Sequence, residues 1–203
     1  MTSNSLSRNV RPIAVAAGSV FAVGHLAVFL AAQGGPAEFA ITGFYRWSCV
    51  LLLAGFIGLI FAAFALYDRQ AGRGGTLGLI GLIGAVTGTV LMAGDWWFET
   101  FAVPFYAEAL PPILDVRGAG WLAGGGLVSY ATFALGWAVF GLAELRSGAV
   151  SKAAGAALIV GGLLGYLAVT PPYGFAIGAA VAWAGLASRR VRADDRAADP
   201  AST

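Results

Sequence analysis

The chain has 203 residues, of which 59% are hydrophobic and 11% charged, and a formal net charge of +2. An ordinary soluble domain is about half apolar and about a quarter charged, and a disordered chain is poorer still in apolar residues. A soluble globular enzyme and a disordered segment are thereby excluded, and a polytopic membrane protein remains. No basic patch interleaved with aromatics is present, so no nucleic-acid partner is expected. The single cysteine, Cys49, rules out an internal disulfide and a CxxC metal or redox pair.

A hydrocarbon core of about 30 Å takes about 20 apolar residues in helical form. Residues 1–11 precede the first such stretch, 12–32, which opens with a helix-compatible proline. Arg8 and Arg11 before it and Ala31-Ala32 near its end also fit a signal peptide. The apolar run is longer than the usual h-region of about 7–15 residues, so it is read as a retained span. Further spans are expected at 47–67, 76–94, 120–143, 153–169 and 172–187. The last two are divided by Thr170-Pro171-Pro172. One helix through both would be about 52 Å long, so the double proline marks a turn between two crossings. The fold expected is an all-α integral membrane protein, a compact bundle of six transmembrane helices.

Lysine and arginine in the connections give the orientation. With the N-terminus cytoplasmic, ten basic residues fall inside: Arg8, Arg11, Arg69, Arg73, Arg146, Lys152, Arg189, Arg190, Arg192 and Arg196. Only Arg46 and Arg117 fall outside. Both termini are therefore expected in the cytoplasm. The preference for Arg over Lys and the abundance of Ala and Gly match GC-rich codons, which points to a bacterial inner membrane. Residues 188–203 mix Arg with Asp and lack apolar periodicity, so a disordered cytoplasmic tail is expected.

Glycine carries the packing signal. Gly84/Gly88, Gly120/Gly124, Gly161/Gly165 and Gly174/Gly178 are GxxxG pairs, which let helix backbones approach closely in lipid. They fit packing within one bundle, and equally a homo-oligomer or a membrane partner's helix. Gly78, Gly84 and Gly88 share their spacing with Gly155, Gly161 and Gly165. That coincidence suggests three tandem helix pairs related about the membrane normal.

Ionisable groups inside spans are costly and so mark function. His25 lies well inside the first span, nearer the outer face. It reads either as a proton acceptor or as a neutral ring hydrogen-bonded to a neighbouring helix. Asp95 and Glu99, at the outer end of the third span, share a face if the helix continues, and two close carboxylates bind a cation or share a proton. Trp96 and Trp97 fit an aromatic belt there. The connection 95–119 also carries Phe98, Phe101, Phe105, Tyr106, Glu108 and Asp115. Pro104 is expected to break it, leaving 104–110 as a short interfacial helix and 98–110 as a lid. His25, Asp95 and Glu99 are expected to face one outer vestibule beneath that lid.

No metal site, cofactor, HExxH, GxSxG or P-loop pattern is found. The leading functional reading is a structural, accessory or partner-binding membrane protein. The alternatives are a small proton- or cation-coupled transporter using His25 with the two acids, and an enzyme acting at the outer face.

Overall fold

The computed structural model describes residues 9–70, 72–115, 120–168 and 170–188; Arg8, Arg117 and the expected tail from 189 onward lie outside these. Among the described residues the chain is helical, with no strand. Helix α1 spans Val10–Ala31, α2 Pro36–Ala40, α3 Gly43–Gln70, α4 Gly75–Ala109, α5 Trp121–Ser147, α6 Lys152–Leu164 and α7 Phe175–Ala187. Short 3-10 turns cover Pro111–Asp115 and Gly165–Leu167.

Local chemistry sets several of these ends. Gly148 closes α5 in the left-handed region, at φ 67°, where a Cβ would be strained. Ser151 then caps α6, its hydroxyl accepting from the Ala154 amide at 3.2 Å, which satisfies a donor of the first turn. The Pro171-Pro172 bond is cis, and α7 begins at Phe175 rather than at Pro172.

The long helices form an antiparallel ring. Each packs on its neighbour in sequence, and α7 returns to α1 to close the circle. Glycine contacts give the register. Gly24 faces Leu52 and Gly55 faces Phe21 between α1 and α3; Gly81, Gly84 and Gly88 face Phe140, Gly136 and Phe133 between α4 and α5. Gly162 meets Trp137 and Ala138 of α5, and Gly161 meets Ile177 of α7. Gly178 lies on Gly18 and Ala22 of α1, and Gly185 on Ala14. Of the four GxxxG pairs, Gly84/Gly88, Gly161/Gly165 and Gly174/Gly178 thus serve packing inside the chain. Gly120 and Gly124 do not: a Cβ at either would meet open space. The proposed repeat has a partial geometric counterpart. Gly78 and Gly155 each meet the preceding helix, and Gly84 and Gly161 each meet the following one, but Gly88 and Gly165 diverge.

Inside the ring, Phe21, Phe56, Phe133, Trp137, Phe140 and Met92 are fully buried. Outside it, Val23, Leu30, Phe61, Ile83, Leu135 and Val160 are each more than half exposed. Soluble monomers do not spread so much large apolar surface around their circumference. Four helices, α1, α3, α4 and Ala123–Ser147 of α5, are long and apolar enough to cross a membrane. The last two are apolar but shorter.

The largest departure from the sequence expectation is α4. Pro104 does not break it: the helix runs unbroken for 35 residues, about 52 Å. Proline removes one backbone donor and crowds the carbonyl four residues back, a cost that tertiary contacts must offset. Here α2 and the 3-10 turn lie against that stretch, where Ala40, Val103 and Ala107 form a second small core with Phe39 and Leu114. Residues 104–109 are therefore the end of α4, not a separate interfacial helix, and the segment expected as a lid belongs to that same helix as far as residue 109.

Candidate functional site

Polar side chains of the bundle fall into a cluster at the end that the sequence expectation places outside (the outer cluster), a central histidine, and a pair at the opposite end (the inner pair). The outer cluster is built where α4 extends past its expected end. Tyr45, in the first turn of α3, is buried and donates its hydroxyl to Glu99 Oε2 at 3.1 Å. Asp95, one turn earlier on α4, adds its field to that of Glu99. Ser129 and Tyr130 of α5 approach from the other side, the former interacting with Asp95 and the latter within the field of both acids. Cys49, fully buried, lies one turn along from Tyr45 and interacts with it. The i, i+4 spacing thus places both carboxylates on one face, facing a phenol on each neighbouring helix. The Asp95 Oδ2 atom is buried without a hydrogen-bond partner. Such an arrangement can hold a proton between acids or accept a cationic or hydroxyl group.

His25 does not join this cluster. It is fully buried, its ring 4.8 Å from Phe21, 5.8 Å from Trp96 and 6.4 Å from Phe56, measured between centroids. Gly174, immediately before α7, presses on it so closely that a Cβ there would overlap the imidazole. Neither ring nitrogen has a hydrogen-bond partner. Both sequence expectations for His25 are thus revised: the imidazole is not hydrogen-bonded to a neighbouring helix, and α4 presents Trp96 to it rather than either acid. The reason lies in helical phase. Met92, Trp96 and Thr100 make the buried stripe of α4, and Asp95 and Glu99 sit one position earlier, turned toward α3 and α5. Trp96 is accordingly a core residue rather than an interfacial anchor, while Trp97 is 55% exposed and Phe101 54%.

The inner pair was not singled out by sequence. Glu144 of α5 is fully buried and accepts from Gln70 Nε2 of α3 at 2.9 Å. Its other oxygen, and Gln70 Oε1, have no hydrogen-bond partner. Arg73, in the α3–α4 turn, supplies a favourable field. The sequence signal was present: Phe133, Trp137, Phe140 and Glu144 follow one helical stripe, so the acid inherits the buried face of those rings. A count of charges at span ends hides this.

Among the described residues, no group of three or more His, Cys, Asp or Glu side chains is placed to hold a metal ion. Arg46 and Glu108, at the outer end, form an ion pair between α3 and α4. Compared with known proteins, the chain matches no family model, no curated protein and no solved structure.

Proposed function

We propose that the chain is a six-span integral protein of a bacterial cytoplasmic membrane, with both termini inside, acting as a non-catalytic accessory or partner-binding protein. The observation that carries this reading is the filled axis of the ring. Phe21, Phe56, Phe133 and Trp137 pack in a continuous series, mostly edge-on or tilted, at centroid distances of 4.7–6.5 Å, so the middle of the bundle is solid. Apart from the His25 ring and the Thr89–Trp137 hydrogen bond, the polar clusters lie toward its two ends. The antiparallel register around the ring supports six crossings with ends alternating sides. Two of those crossings are short, because α6 and α7 have 13 residues each, about 20 Å. Bilayer thinning or snorkelling flanks accommodate such a mismatch.

Topology is tested with a periplasm-active reporter fused after Arg73 and after Asp115. Silence at the first and activity at the second are expected, and the reverse pattern would sink the orientation. Function is tested in proteoliposomes carrying a pH-sensitive dye, where flux no greater than in empty vesicles is expected.

A second reading has its own support. The Asp95–Glu99 cluster, with Tyr45, Ser129 and Tyr130, and the incompletely bonded Glu144 are groups that a small proton- or cation-coupled transporter uses at the two ends of its path. A saturable flux abolished by Glu99→Gln would replace the first reading with this one.

A further inference from the structure

A cavity of about 590 Å³ opens between the start of α3 and the end of α4, with Arg46, Trp47, Val50, Phe101, Phe105 and Glu108 in its wall. Trp47 is 73% exposed and Phe105 64%, so its rings face outward, where the membrane-spanning reading places lipid. Its polar rim is the Arg46–Glu108 pair. Guanidinium offers five N–H donors. The contact with Glu108 is made through Nη2, and the side chains of Arg46 and Glu108 remain 42% and 60% exposed, so both ends of the pair stay open to an occupant of the groove.

An occupant must therefore bring an acceptor oxygen to Arg46, a cationic donor to Glu108 and an apolar chain to Trp47, Phe101 and Phe105. A simple anion meets only the first demand and is repelled by the carboxylate. A choline headgroup has no N–H, and a glycerol headgroup has no positive charge. We propose that this groove binds one phospholipid with a primary-ammonium headgroup, phosphatidylethanolamine being the simplest. Its phosphate or ester oxygens accept from Arg46, its ammonium group donates to Glu108, and an acyl chain lies along the aromatic wall. The charge complementarity of a zwitterion to an ion pair selects this occupant over other lipids. The inference rests on the chain spanning a membrane.

The test uses the full chain, purified in detergent, stripped of lipid and titrated separately with dioleoyl phosphatidylethanolamine, phosphatidylcholine and phosphatidylglycerol under native mass spectrometry. One phosphatidylethanolamine per chain is expected, held about tenfold more tightly than the other two, the scale of one charge-assisted hydrogen bond. Glu108→Gln should erase that preference while leaving the melting temperature unchanged. Phe105→Ser, at a ring that is 64% exposed, should weaken all three lipids alike. Equal retention of the three lipids by the native chain, or an undiminished preference in Glu108→Gln, overturns the proposal. Resistance of the chain to alkaline carbonate extraction from membranes is read in parallel. A chain that resists extraction but shows no headgroup preference loses the lipid site and keeps its membrane assignment.

Discussion

The indole N–H of Trp137 donates to the Thr89 hydroxyl at 3.0 Å, and that hydroxyl in turn donates to the Ala85 carbonyl at 2.6 Å. The chain of two bonds ties α5 to α4 in the centre of the ring, where both side chains are fully buried. Thr89→Val keeps the shape and removes the acceptor, leaving the indole donor unmet. A loss of about 1–3 kcal/mol is expected, read by thermal unfolding in detergent. No loss would mean that Trp137 finds another acceptor in the folded protein.

Gln70 and Glu144 give the complementary test at the inner end. Gln70→Leu strips the buried carboxylate of its amide donor and should destabilise by about 2–4 kcal/mol. Glu144→Gln removes the charge, keeps the shape and should cost less than Gln70→Leu. The two variants are compared by the same melt, and a reversed order would show that the charge of Glu144 is compensated by something other than Gln70.

Close helix approach predicts a sharp contrast between glycines. A Cβ at Gly88 would overlap the Phe133 backbone, whereas one at Gly124 would meet nothing. Gly88→Ala should cost about 2 kcal/mol or more by forcing α4 and α5 apart, and Gly124→Ala should stay within about 0.5 kcal/mol of native. A large effect at Gly124 on elution volume in size-exclusion chromatography would instead place that pair in an interface between copies.

His25 is a buried polar ring with no hydrogen bond to lose. His25→Leu should therefore leave stability within about 1 kcal/mol of native, because the ring packing lost is offset by the removal of two desolvated nitrogens. Membrane insertion should be intact, since leucine suits a span better than histidine. A drop well beyond that value in the detergent melt would show that the native imidazole has a partner.

What the sequence determined by itself was set by composition and by distances along one helix. Apolar runs long enough to span lipid coincide with the long apolar helices α1, α3 and α5, and the i, i+4 spacing puts Asp95 and Glu99 on one face once the helix continues. The sequence marked four GxxxG pairs as places of close approach without saying what approaches them; three of them meet other helices of the same chain. What only the tertiary structure decided depends on neighbours that no local pattern contains. Pro104 stays inside α4 because α2 and the turn at Pro111–Asp115 pack on that stretch, which outweighs an intrinsic helix-breaking cost of about 3 kcal/mol. Asp95 and Glu99 face Tyr45 and Tyr130 rather than His25 because the stripe of α4 that packs inward carries Met92, Trp96 and Thr100, one position along the helix from the acids. Glu144 and Gln70 meet across 74 residues of sequence; each looks like an ordinary charged or polar helix end until closure of the ring removes water from both, and burial then makes their mutual hydrogen bond the less costly arrangement.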